Sequence, residues 1–389
     1  MEIYVHVPFC VKKCNYCDFL SFPCRDPDEI HDYVRALQRE LFLWVKEMEN
    51  KDVSTIYIGG GTPSAIDASY IEDILDALRA LFDVAEDAEI TLEINPGTCD
   101  KDSLKTYKRS GVNRISLGLQ STDNLLLKKL GRIHTYEDFL RSYDDVKRAG
   151  FFNINVDVMS AIPGQDIFTY EDTLKKVVNL NPRHISSYGL IIEEGTLFYE
   201  KYHEDDEKRN RGDTPKYLPP EDVERKMYYL TGELLEAYGY ERYEISNYAK
   251  KGFGSRHNTG YWTGEKYLGA GLGASSFTGV RRLKNISSLK EYIKAVNAAE
   301  SIYDIPHDED ISLSHKDLME EFMFLGLRMT GGVSEDDFFE RFGKDIRAIY
   351  GDVLQRLKNM NLIAHYDRRI RLTDEGLDVS NYVFKEFLL

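Results

Sequence analysis

Short apolar runs alternate with longer amphipathic stretches along the first half of the chain. Ile3–Val7, Thr55–Ile58, Glu89–Ile94, Arg114–Leu119, Asn153–Met159 and His184–Gly189 read as strands. Between them, Asp28–Met48, Ser69–Phe82, Lys101–Lys108, Tyr136–Arg148 and Tyr170–Leu180 read as helices. Six such alternations predict an α/β fold with parallel strands inside and helices outside, a partial (β/α)6 barrel of TIM type over residues 1–200. Ligands of such barrels sit at the C-terminal ends of the strands. Three closely spaced cysteines follow the first strand here, Gly59–Gly61 follow the second, Glu93 ends the third and Gln120 follows the fourth.

The pattern changes after residue 200. His203 to Pro220 is polar, charged and Pro-containing, which predicts a linker or mobile loop. A helix is expected over Glu221–Tyr238, and a Gly- and aromatic-rich segment runs from Tyr243 to Phe277, so residues 201–305 form an extension to the barrel. Residues 306–389 read as a small separate unit. Helices near His315–Leu327, Ser334–Phe342 and Ile346–Met360 precede Leu362–His365 and Ile370–Leu372, a hairpin around Asp367–Arg368. Three helices and a hairpin predict a winged-helix-like domain.

Bulk chemistry narrows the function. The chain has 389 residues, 42% hydrophobic and 12% aromatic, enough for buried cores and for flat side chains that suit a planar ligand. The net charge of −16 argues against a nucleic-acid partner. Glu335, Asp336, Asp337 and Glu340 on one helix of the tail argue against DNA recognition by it. The densest basic stretch, Arg281–Lys284, is short enough to be a solvated turn. The N-terminus lacks the basic and long apolar regions of a signal peptide, and no apolar run approaches a membrane span, so a cytoplasmic location is expected.

Cys10, Cys14 and Cys17 form a C-x3-C-x2-C array. Thiolates are the usual ligands of iron–sulfur clusters, and three close ones hold three corners of a cubane while leaving one iron open to an exchangeable molecule. The alternatives are a structural zinc site, which wants a fourth ligand that Cys24 could supply, or three unconnected thiols.

The stretch YVHVPFCVKKCNYC from Tyr4 to Cys17 resembles the opening of the radical SAM superfamily, in the branch of oxygen-independent coproporphyrinogen oxidase. GGGTP from Gly59 to Pro63 resembles that branch's second signature. The resemblance implies a 4Fe–4S cluster on Cys10, Cys14 and Cys17 whose open iron chelates S-adenosylmethionine (SAM). It further implies SAM contacts from the region of Tyr4, from Tyr16 to the adenine, from the backbone of Gly60, Gly61 and Thr62, and from Glu93 to a ribose hydroxyl or ammonium. Gln120, Arg132 and Asp157 correspond to residues that line a second SAM site in the oxidase, with a polar network at the barrel mouth as the alternative.

Two departures separate the chain from the oxidase. The oxidase has a fourth cysteine two residues after the third, where Phe19 stands here, and an N-terminal extension that does not precede Tyr4. CDFLS from Cys17, YEISNY from Tyr243, SRHNTGYW from Ser255 and YLGAGLG from Tyr267 instead resemble the haem chaperone branch, although Ser275 replaces a histidine found in many relatives. That branch implies haem as ligand and a haem-acceptor protein at the membrane as partner, with peripheral membrane association. His257 is the first candidate for an axial iron ligand and Arg256 for a propionate partner; the other histidines, the methionines, Cys24 and Cys99 remain available. The rival functions are a coproporphyrinogen dehydrogenase, a radical SAM methylase or cyclopropanase, and a tRNA modifier.

Overall fold

In the computed structural model, which describes residues 1–23 and 26–389, the six predicted strands are all present and parallel. They are β1 (Glu2–Val7), β2 (Asp52–Gly60), β3 (Asp83–Ile94), β4 (Arg114–Gln120), β5 (Asn153–Ser160) and β6 (His184–Gly189). Cys24, the proposed fourth zinc ligand and a spare haem ligand, lies outside the described residues. The strands alternate strictly. Ile115, Leu117 and Leu119 of β4 pack into the main core, whereas Arg114, Ser116, Gly118 and Gln120 face an internal cavity. An apolar outer face buried under helices and a polar inner face make the barrel a container rather than a packed core.

The helices follow the sequence closely: α1 (Pro27–Glu47), α2 (Ala68–Leu81), α3 (Lys101–Arg109), α4 (Asn124–Leu130), α5 (Tyr136–Arg148) and α6 (Ile167–Leu180). α4 is additional to the prediction. Asp123 caps it by accepting from Leu125 N and Leu126 N, and Gly131 ends it in the left-handed conformation.

The extension continues the barrel's sheet on both sides. β7 (Glu241–Arg242) and β8 (Asn247–Ala249) add antiparallel strands beyond β6. β9 (Tyr267–Ala270) pairs in parallel with β1, from Glu2 opposite Tyr267 to Val5 opposite Ala270. β10 (Ser275–Phe277), β11 (Arg281–Asn285) and β12 (His307–Ser312) complete that side, giving twelve strands in one sheet.

Two expectations are corrected. Arg281–Lys284 is not a solvated turn but part of strand β11, paired with β12. The span His203 to Pro220 is not a loop throughout, because α7 (Leu197–Asn210) occupies its first half. Asp205, 5% exposed, then pins the following segment by accepting from the backbone N–H groups of Lys216 (2.6 Å), Tyr217 (2.6 Å) and Leu218 (2.9 Å). Asp205→Ala would strand these donors, and we expect a loss of about 2–3 kcal/mol in denaturant unfolding with faster proteolysis between residues 211 and 220. A loss under about 0.5 kcal/mol would mean that water replaces the carboxylate.

α8 (Glu221–Ala237), α9 (Arg256–Thr263) and α10 (Leu289–Ala298) lead to a second core built by α11 (His315–Gly326), α12 (Glu335–Phe342) and α13 (Ile346–Asn359). β13 (Val333–Ser334), β14 (Ile363–Tyr366) and β15 (Arg369–Leu372) form its three-stranded sheet. Asp367 and Arg368 both have positive φ, the geometry of a two-residue hairpin turn, so the wing lies where the sequence puts it. Arg347 and Arg356 of α13 are engaged by Glu335 and Glu386.

Candidate functional site

The loop after β1 is anchored before it is functional. Asn15 donates from its backbone N–H to Leu130 O (2.9 Å) and from Nδ2 to Lys129 O (2.9 Å), and its carbonyl accepts from Phe198 N (2.9 Å). At the loop's end, Leu20 O meets His6 Nε2 (2.8 Å), while Tyr4 OH meets His6 Nδ1 (3.0 Å). The loop is thereby tied to α4, α7 and the floor of its own strand. Cys10 is buried and Cys14 and Cys17 are half-buried; all three are free thiols in the wall of one cavity of about 340 Å³. Burial raises the Cys10 and Cys17 thiols above the ordinary range, with the Thr62 hydroxyl (Oγ1 to Cys10 Sγ, 3.6 Å) opposing it at Cys10.

The glycine triplet ends β2 against this loop. Gly61 N donates to Val7 O (2.8 Å), and a Cβ on Gly61 would lie 2.7 Å from Phe9 O. Gly60 has φ +113°, and a Cβ there would lie 2.5 Å from the His6 ring. Only glycine permits this approach of β2 to the cysteine loop. Glu93 accepts from Tyr57 OH (2.7 Å) and Gly60 N (3.1 Å), and burial pushes its carboxyl up to about 7. A Cβ on Gly59 would strike that carboxyl at 2.9 Å, so the triplet and Glu93 are fitted to each other.

The remaining predicted residues divide. Arg132 reaches Cys14 Sγ through Nη1 (3.5 Å) and Gly118 O through Nη2 (2.8 Å), with Asn95 Oδ1 as a third partner. It therefore sets a half-buried positive charge beside a thiol. Gln120 ends β4 with φ 73°, a conformation that non-glycine residues adopt only when held there. Asp157 accepts from Ser116 Oγ (3.2 Å) and Asn155 Nδ2 (2.7 Å), and burial raises its pKa. The cavity thus brings together Cys10, Cys14, Cys17, Tyr16, Gly60, Gly61, Thr62, Glu93, Gln120, Arg132 and Asp157. Tyr4 stands behind the lining, against His6 and Tyr57.

His257 is not brought to it. The residue is 1% exposed, its Nδ1 is bonded to Thr55 Oγ1 (2.8 Å) and its Nε2 to Tyr261 OH (3.0 Å), and its ring stacks on Tyr57. Burial first, and then the Arg114 charge, push it down to about 3, so it is a neutral internal post at the N-terminal ends of β2 and β3. Ligation of iron by His257 requires it to leave both partners. Arg256 is likewise committed, donating to Asp87 O (2.7 Å).

Several cavity residues are absent from the sequence reading: Tyr57, Asn95, Arg114, Ser116, Asn155, Ser186 and Asn258. Strand alternation carries the signal for part of them, since Arg114, Ser116 and Gly118 share a face with Gln120. Among the described residues no three His, Cys, Asp or Glu side chains close on a single ion. A cluster does not require this, because each of its irons takes one thiolate. Three thiols and the Arg132 guanidinium beside Cys14 fit an anionic, thiolate-held group.

Comparison with known proteins agrees with the geometry. Residues 4–177 match the Radical SAM superfamily model and residues 313–379 match the HemN C-terminal domain. The heme chaperone HemW of Bacillus subtilis (strain 168) is 34% identical over 386 residues, covering 99% of this chain and 98% of that protein. The heme chaperone HemW of Lactococcus lactis subsp. lactis is 37% identical, with 99% and 97% covered. The structure of coproporphyrinogen III oxidase (HemN) from Escherichia coli, a radical SAM enzyme, matches the fold with a TM-score of 0.84 at 22% identity, over 100% of this chain and 89% of that one. Membership of the superfamily implies a 4Fe–4S cluster and SAM. A fold built on this barrel, a cysteine-lined mouth and similarity over nearly the whole length lead to one assignment: the chain belongs to the HemW family of radical SAM proteins.

Proposed function

We propose that the chain binds haem and hands it to an acceptor protein, carrying a 4Fe–4S cluster and SAM in the barrel mouth. The observation that supports this most is similarity over 99% of the chain to relatives named as heme chaperones. Cys10, Cys14 and Cys17 would hold the cluster, and Gly60, Gly61, Thr62 and Glu93 would hold SAM, with Tyr16 beside them. When bound, such a cluster supplies an electron to the SAM chelated at its open iron. Arg132 offsets negative charge at Cys14, while Asp157, in the same cavity, accepts from Ser116 and Asn155.

Phe19 favours the chaperone over the oxidase reading. It stands where the oxidase has a cysteine, and it is 61% exposed at the rim of the cavity, an unpacked flat ring next to Lys13, whose Nζ donates to Phe19 O (3.0 Å). No helix among the described residues is long and apolar enough to cross a membrane, so a membrane-bound acceptor would be met at its surface.

Anaerobic haem titration of the cluster-reconstituted protein, followed at the Soret band, tests the reading. Saturation near one haem per chain is the expected result. An unsaturable rise returns coproporphyrinogen turnover to first place. The variant His257→Ala decides the ligand: a shifted Soret band and about tenfold weaker binding assign iron ligation. An unchanged spectrum assigns only the post between Thr55 and Tyr261.

A further inference from the structure

Arg114 opens β4 at the end of the barrel farthest from the cysteines, and it is 1% exposed. It lines the same cavity as Gln120 at the other end of that strand. Seven residues at about 3.3 Å each make a strand roughly 20 Å long, so the cavity runs through most of the barrel's depth. The cysteines, Gly60, Gly61 and Thr62 occupy its upper end. Beneath them lies a chamber whose walls include Ser116, Asn155, Ser186 and Asn258.

The guanidinium in this chamber is almost unused. Its hydrogen bond among the described residues runs from Nη1 to Thr91 Oγ1 at 3.5 Å, and its Nε has no partner. The neighbouring carboxylates make their hydrogen bonds elsewhere. Glu93 takes Tyr57 OH and Gly60 N; Asp157 takes Ser116 Oγ and Asn155 Nδ2. Glu89 takes Ser255 Oγ and the backbone N–H groups of Arg256 and His257. Burial raises the Glu93 and Asp157 carboxyls and the Arg114 charge opposes that at both, so the charges attract across the chamber, yet neither carboxylate hydrogen-bonds to the guanidinium and its fork is left without a carboxylate partner.

We infer that the lower chamber is a binding site for a small molecule bearing one carboxylate, with Arg114 as its anchor. A guanidinium presents a planar fork that matches a carboxylate through two parallel bonds. Glu93 and Asp157 in the same walls repel a multiply charged anion, which favours a single carboxylate over a phosphate. Ser116, Asn155 and Asn258 offer neutral donors and acceptors for the rest of the molecule. The cavity of about 340 Å³, shared with the mouth, limits the ligand to a few heavy atoms beyond its carboxylate. The assignment does not rest on haem binding.

Equilibrium dialysis of the full-length, cluster-reconstituted protein against 14C-acetate and, separately, 14C-lactate at fixed ionic strength tests the assignment. At least one probe should saturate near one per chain. Arg114→Gln should weaken it about tenfold or more, and Arg114→Lys by less, since lysine keeps the charge and loses the fork. Asn258→Asp adds a further carboxylate to the wall beside Glu93 and Asp157; the Asn258 side chain makes no hydrogen bond among the described residues, so the fold is spared while probe affinity falls. Saturating SAM should leave the probe in place. Failure of the wild-type chain to bind either probe, equal binding by Arg114→Gln and Asn258→Asp, or displacement by SAM would overturn the assignment.

Discussion

Cys14→Ser should remove the cluster: iron content falls from about four per chain to near zero, the visible absorbance is lost, and SAM binding weakens about a hundredfold or more. A serine hydroxyl is a harder and far weaker acid than a thiol and does not hold an iron corner in its place. The position is also the most exacting of the three. Arg132 points Nη1 at Cys14 Sγ, so the site sets a fixed positive charge against this ligand. Loss of the thiol leaves that guanidinium facing a neutral hydroxyl, with its Nε already unpartnered. An intact cluster in the purified variant would refute the central assignment, because the open-iron arrangement leaves no spare ligand among Cys10 and Cys17. Iron and sulfide assays beside the absorption spectrum distinguish this from simple unfolding, which circular dichroism reports.

The second large effect is expected from Gly60→Ala. Two penalties combine there. A φ of +113° is reached at little cost only by glycine, and the added Cβ would stand 2.5 Å from the His6 ring. His6 in turn holds Leu20 O, the end of the cysteine loop. We expect a stability loss of roughly 3 kcal/mol and about tenfold weaker SAM binding. Gly97→Ala is the control. That residue also has positive φ, +76°, but a Cβ there meets nothing within 4 Å. It should lose about 1 kcal/mol of stability and keep SAM affinity. Equal losses in the two variants would show that backbone strain alone, rather than the approach to His6, makes Gly60 necessary.

The sequence makes the barrel legible because its strands are short apolar runs and its helices carry caps at the expected ends. It hides α7 for a physical reason. The buried stripe of that helix is Phe198, Tyr202, Asp205 and Arg209, and half of it is charged. A pattern search for apolar positions reads such a stripe as solvent-facing, although Asp205 satisfies backbone donors and Arg209 pairs with Asp206 and Glu224. The cysteines are legible from spacing alone. Arg114 is not, since a lone arginine at the start of a strand looks like a solvated charge. His257 looks like a free imidazole in an aromatic segment, because its partner Thr55 lies 202 positions earlier in the chain.

The place of β1 in the sheet sets the order in which the molecule can be made. Its first residues pair with Thr55 and its neighbours on one side and with Tyr267 and its neighbours on the other. A growing chain therefore finishes the cysteine loop early but holds β1 with one open edge until more than 260 residues have emerged. Contacts this distant in sequence close slowly, and an exposed strand edge recruits other chains. Metal loading on the ribosome would meet a half-framed loop, so the cofactor is best inserted after release, and fragments that stop before Tyr267 should aggregate rather than mature.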